Sequence, residues 1–118
     1  MWGLEHGMRL WVCQEPVSMQ NGIRGLSQMV WSWKGHSPAS GDVYVFFYRD
    51  RKMMKALKWD GDGFLMYTKK LAQGRFRKVP KNGDSGVRGL QWDCFYMMMR
   101  GLVPVKMMVE NRFRMDSN

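Results

Sequence analysis

VYVFFYRDRKMMKALKWDGDGFLMYTKK, residues 43–70, is the stretch that decides the fold. Val43 to Arg49 is apolar on both faces, with Val43, Val45 and Phe47 set against Tyr44, Phe46 and Tyr48, as expected of a central strand. Asp50-Arg51 is a short polar break. Lys52 to Trp59 then resumes as strand, carrying Met53, Leu57 and Trp59 on one face. Asp60-Gly61-Asp62-Gly63 reads as a tight turn, with glycines where positive φ is needed, and Phe64 to Lys70 returns. Three extended runs joined by short turns make an antiparallel meander. A helix over Met53–Trp59 is the competing reading.

Working outward toward the N-terminus, Arg9-Leu10-Trp11-Val12-Cys13 reads as a short strand that turns at Glu15-Pro16. Ser18 follows as a helix N-cap. Met19, Ile23, Leu26, Val30 and Trp33 recur at intervals of four and three, the apolar face of an amphipathic helix. Gly22 and Gly25 weaken that helix by roughly 1 kcal/mol each relative to Ala, and are read as places where another backbone comes close. Gly35-His36-Ser37-Pro38 ends the element. On the other side, Pro80 to Gly86 reads as an exposed loop. A second helix runs from about Gln91 to Arg100, with Trp92, Phe95 and Met99 as its stripe, stopped by Gly101 and Pro104. The expected fold is α+β: a small antiparallel sheet, made of the N-terminal strand plus the three-stranded meander, packed against an amphipathic helix, with a C-terminal helix. One domain is expected over residues 1–109, with a polar tail over 110–118.

Composition sets the class. The chain has 118 residues, enough for one domain, and at 45% hydrophobic and 14% aromatic it can build a core. Nineteen Lys and Arg against ten Asp and Glu give a formal charge of +9, which favours polyanionic partners. The charge is local: Arg49 to Lys81 holds eleven cations and three acids. Cys13 and Cys94 lie far apart outside any CxxC pattern and read as reduced, partly buried thiols, although one disulfide is arithmetically possible. The N-terminus lacks the charged start and apolar run of a signal peptide. The longest apolar run is far shorter than the roughly 20 residues a bilayer span needs. A soluble, cytoplasmic protein without membrane attachment is expected.

Nothing in the sequence is arranged for catalysis. His6 and His36 have no Cys or carboxylate at metal-ligand spacing. Asp60 and Asp62 read as turn chemistry and lack the further ligands of a calcium loop. No phosphate loop and no nucleophile elbow is present. No enzyme, metal or cofactor is expected. Binding has a better claim: Arg49, Arg51, Lys52, Lys55, Lys58, Lys69, Lys70, Arg75, Arg77 and Lys78 are interleaved with Tyr48, Trp59, Tyr67 and Phe76. Cations can neutralise phosphates while aromatics stack on bases or buttress the surface. Alternatively the lysines form a solvated face that protects sheet edges, and composition leaves the two readings level. Lys52, Lys55 and Lys58 recur every three residues, so a regular strand does not put them on one face. The paired and tripled methionines (Met53-Met54, Met97-Met98-Met99, Met107-Met108) read as stand-ins for Leu and Ile in a permissive core, with an adaptable protein-binding groove as the alternative.

The order of these motifs resembles a known family. Arg9-x-Trp11-Val12-Cys13-x-x-Pro16-Val17-x-Met19-x-x-Gly22-Ile23-x-Gly25-Leu26 is followed by Ser40-Gly41-Asp42-Val43-Tyr44-Val45-Phe46. Then come Arg49, Lys55-x-Leu57-x-Trp59-Asp60-x-x-Gly63-Phe64-x-x-Tyr67-x-Lys69-Lys70-Leu71 and Gly74-Arg75-Phe76. The pattern, over residues 5–78 and more loosely 90–102, is similar to the TnpB (Orf2-like) accessory protein of bacterial insertion-sequence-66-type transposable elements. Gln20-Asn21 departs from it where a basic pair is common, and Tyr48 where a polar residue often stands. The resemblance implies a small protein encoded beside a separate DDE-type transposase, needed for efficient transposition and without activity of its own. Taken with the basic stretch, it makes DNA (as a non-sequence-specific component) and the element-encoded transposase and accessory proteins the expected partners. In that setting Arg49, Lys55, Lys69, Arg75 and Lys78 are expected at phosphates, with Trp59 and Tyr67 holding the sheet.

Overall fold

A strand that is apolar on both faces must be covered on both sides, and the computed structural model, which describes residues 7–102 and Met107, is built around that requirement. Strand β2 (Val43–Phe47) is buried at all five positions. It lies at the centre of a five-stranded sheet with β1 (Leu10–Cys13), β3 (Met53–Trp59), β4 (Phe64–Lys70) and β5 (Val87–Leu90), in the order β4-β3-β2-β1-β5. Helix α1 (Ile23–Trp31) joins β1 to β2, and helix α2 (Trp92–Met99) follows β5. Alternation along β2 sends its side chains to two separate cores. Val43, Val45 and Phe47 meet Phe95, Met98 and Met99 of α2. Tyr44, Phe46 and Tyr48 meet Leu26 and Val30 of α1. The sheet is thus a filling between two helical layers.

The meander forms as expected, with β2–β3 and β3–β4 both antiparallel and Trp59 opposite Phe64 across the turn. There the Asp60 N–H donates to Gly63 C=O at 2.8 Å and Gly61 takes φ +90°. Met53–Trp59 is strand, not helix. Gly101 adopts φ +80° just beyond α2, as a helix-ending glycine does.

Four expectations are corrected. The N-terminal strand is not antiparallel to the meander: β1 runs parallel to β2, with Leu10 opposite Val43, because the α1 crossover returns the chain in the same direction. The sheet has a fifth strand, β5, antiparallel to β1 with Leu10 opposite Leu90. Ser18 does not cap α1. Its hydroxyl accepts from the Gln20 N–H, its carbonyl from the Asn21 N–H, and the turn they make delays the helix to Ile23, behind an N-cap at Gly22. Met19 is consequently outside the helical stripe and 55% exposed, and Ile23 is 43% exposed. Finally, no backbone approaches the two glycines. A methyl group at Gly22 would meet nothing, and one at Gly25 would meet the Asn21 side chain.

The methionines divide. Met54, Met98, Met99 and Met107 are core residues, whereas Met19 and Met97 face outward. Cys13 and Cys94 are free and buried, one in each core, so the sheet separates the two thiols. Among the described residues no helix is long and apolar enough to cross a membrane. His6, Pro104, Met108 and the 110–118 tail lie outside the described residues.

Burial pushes the Cys13 thiol and the Tyr44 and Tyr48 hydroxyls above their ordinary values of 9.0 and 10.0. The unfolded chain therefore releases these protons at lower pH than the folded one. Above about pH 9 it binds fewer protons than the native state, and stability falls as pH rises. The urea midpoint is expected to hold from pH 7 to about 8.5 and to drop steadily above about pH 9. A midpoint that stays level to about pH 11 would contradict this account.

Candidate nucleic-acid interface

The parallel pairing of β1 and β2 does not run cleanly to the end of β2. Val12 pairs with Val45, and the chains meet again at Val17 and Tyr48. Four residues on the first strand (Cys13, Gln14, Glu15, Pro16) thus face two on the second (Phe46, Phe47), and the surplus loops outward. Val17 rejoins through N–H to Phe47 C=O and through its own carbonyl to the Arg49 N–H, both 2.9 Å. A cleft of about 430 Å³ opens at this split, at the carboxyl ends of the two parallel strands, where open sheets commonly bind ligands.

Three segments wall the cleft: the 14–16 bulge, the β2–β3 turn, and the segment from Phe76 to Lys81. The last is fastened at both ends. At one end Arg51, in the left-handed region at φ +60°, exchanges two hydrogen bonds with Phe76: its carbonyl accepts from the Phe76 N–H and its Nε–H donates to Phe76 C=O at 2.9 Å. The Phe76 ring is buried, 5.2 Å edge-on from Phe47. At the other end stands Gln14, a buried polar side chain at 3% exposure. Its Nε2 donates to the carbonyls of Asn82 (3.1 Å) and Ser85 (2.7 Å), and its Oε1 accepts from the Asn82 N–H (2.7 Å).

The cleft gathers Arg49, Arg51, Arg77 and Lys78 from the ten candidate cations and adds Lys81. The one carboxylate in its lining is Glu15, paired with Lys81. That pairing raises the Lys81 ammonium pKa, through the hydrogen bond first and the charge second. Both partners are solvent-exposed, so the pair adds little to stability. Arg49, Arg77 and Lys78 are exposed and, among the described residues, their side chains make no hydrogen bond or ion pair.

The other six candidates are spread out. Lys55 and Lys70 alternate onto the α1 side of the sheet, Lys55 lying 5.7 Å from the centre of the buried Tyr48 ring. Lys58 and Lys69 fall on the α2 side. Lys58 pairs with Asp60 at 3.4 Å, and Lys69 Nζ donates to Met99 C=O at 3.0 Å, closing the C-terminal end of α2. Lys52 and Arg75 are exposed outside the cleft lining. Trp59 and Tyr67 are half-buried on the sheet. Sequence reading missed Lys81 and Glu15 because both sit in segments read as plain turn or loop. No periodicity signals them. Among the described residues no cluster of His, Cys, Asp and Glu could hold a metal ion.

The model of a family described as IS66 Orf2-like protein matches residues 8–109, from just before β1 to beyond α2. This chain belongs to that family. The IS66 Orf2-like proteins are an accessory, non-catalytic type associated with insertion-sequence transposition. Two similar proteins come from Sinorhizobium fredii, both with the printed name of uncharacterized protein. Protein y4jC is 34% identical over 102 residues, covering 86% of each chain. Protein y4hO is 30% identical over 69 residues, covering 58% of this chain and 60% of its own. No solved structure matches. The family match takes in all of β5 and α2, where the resemblance reached only loosely from Leu90 onward.

The wall of the cleft depends on Gln14 of this IS66 Orf2-like protein. Gln14→Leu keeps the volume and strips three backbone groups of their partner, and is expected to cost about 2–3 kcal/mol of unfolding free energy. Urea denaturation measures it, and a loss below about 0.5 kcal/mol would show that the 80–86 loop is held by something else.

Proposed function

We propose that this protein assists transposition of a bacterial insertion sequence by binding DNA, or the transposase–DNA complex, through the cations around the cleft. A separate DDE transposase performs the chemistry in this reading, and the protein is not itself an enzyme. One observation carries the proposal: Arg49, Arg51, Arg77, Lys78 and Lys81 converge from two distant segments on one concavity with a single carboxylate in its lining. Concentrating like charges in this way costs self-repulsion, and a polyanion relieves it. Three of the five are arginines, whose planar guanidinium forks match phosphate oxygens. The remaining candidates, Lys55, Lys58, Lys69 and Lys70 on the two faces of the sheet and Lys52 and Arg75 outside the strands, add a general attraction at longer range.

If those five cations meet phosphates of a duplex, log affinity falls against log salt with a slope of about −4.5. Arg49→Ala with Arg77→Ala should bring the slope to about −2.7, with a thermal midpoint close to that of the parent. Gel-shift titrations with duplex and with single-stranded DNA read both, and a salt-independent shift, or no shift of either DNA at micromolar protein, would sink the proposal.

A second reading has its own support. Met19 and Ile23 are exposed as noted, and Trp31 of α1 is 63% exposed, an apolar set that suits protein contact. In that reading the protein docks on the transposase without touching DNA. It predicts that the two co-purify after nuclease treatment and that Trp31→Ser separates them, whereas the Arg49/Arg77 double variant stays bound. Loss of the complex on nuclease treatment would refute it.

A further inference from the structure

We infer that the cleft takes one phosphate-bearing nucleotide of an unpaired DNA strand, not the wall of a duplex. The inference rests on the proposed DNA-binding role and specifies what occupies its site. Its basis is shape. Duplex recognition in the major groove places a projecting helix or ribbon into a channel about 12 Å wide. Here the cations line a hollow, and neither helix contributes a side chain to it. At about 430 Å³ the hollow falls within the range, about 300–1,000 Å³, of pockets that hold one small molecule. A duplex carries its phosphates on the outside of a stiff rod, so it could lay only its edge across the rim. An unpaired strand can bend a phosphate and its sugar into the space between Arg49, Arg77 and Lys78.

Chemistry narrows the occupant further. Single-strand binders that hold bases offer exposed aromatic faces as platforms. The aromatics of this cleft, Phe47, Tyr48 and Phe76, are 5%, 0% and 1% exposed, so their faces are spent on the core. The grip is therefore on phosphate and sugar and is indifferent to base sequence. Glu15 reinforces this: its carboxylate, held by Lys81, already occupies an anion's position at the rim. An incoming phosphate competes with it for Lys81.

The test is fluorescence anisotropy with a 5′-labelled oligothymidylate of about twelve nucleotides, within the usual range of single-strand site sizes. The same strand is then measured as a blunt duplex, in the same salt. The open strand is expected to bind about tenfold more tightly, equivalent to one charge-assisted contact that the duplex cannot make. Arg77→Ala should remove that preference, whereas Lys70→Ala, on β4 outside the cleft, should preserve it. Glu15→Gln should tighten binding of the open strand. A duplex that binds as well as the single strand would overturn the inference while leaving the proposed DNA binding intact, and binding of neither would overturn both. Free thymidine monophosphate distinguishes a strand from a soluble nucleotide. It is expected to compete only in large excess, and displacement at equal nucleotide concentration would overturn the strand as occupant.

Discussion

A central strand with no polar face constrains everything around it. Because β2 is buried at all five positions, one helix cannot complete the fold, and the chain must supply a second layer. α1 covers Tyr44 and Phe46, and α2 covers Val43 and Val45. A strand with both edges occupied also needs two partners. β3 arrives through a tight turn, whereas the chain passes through α1 between β1 and β2, and that crossover makes their pairing parallel. Parallel strands whose chains leave at the same end create a natural opening there. The cleft lies at that opening, so the basic site follows from what β2 demands of its neighbours.

What was legible in the sequence was what is local. The β3–β4 hairpin declares itself through Asp60-Gly61-Asp62-Gly63 and the runs on either side, and its register follows. Helix α2 declares itself through spacing and Gly101. By contrast, Val87-Arg88-Gly89-Leu90 is a four-residue strand only because β1 stands ready to pair with it, more than seventy residues earlier in the chain. Its own residues, with Gly89 among them, carry no strand pattern. The start of α1 was misplaced for a related reason. Ser18 has the chemistry of a cap, but the Tyr48 hydroxyl donates to Asn21 C=O at 2.6 Å and holds the chain in a turn. That distant contact outweighs the local preference.

The same division explains the site. The cationic surplus between Arg49 and Lys81 was visible as a number, yet the sequence could not say which charges meet. Strand alternation sends Lys55 and Lys70 one way and Lys58 and Lys69 the other, and it commits Lys69 to the end of a helix. Arg51 is half structural, since its backbone and Nε hold Phe76. Arg49, Arg77 and Lys78 are brought together by tertiary closure alone. The family pattern pointed to transposition as the setting, and pairing across the sheet determined which residues share a surface.

The fastening of the cleft by Gln14 ties the existence of the cleft to complete folding. Its walls come from residues near 15, 50 and 78, and they meet only after β1 has paired with β2 and the 80–86 loop has closed on Gln14. The hairpin can form early, because its contacts are close in sequence. The cleft follows it, since joining Gln14 to Asn82 and Ser85 closes loops of 68 and 71 residues. A ligand held there engages only the completed native state, and by mass action it shifts the chain away from its unfolded forms. Occupancy by a polyanion would then act as a check on assembly, protecting finished molecules from proteolysis and leaving incomplete ones exposed.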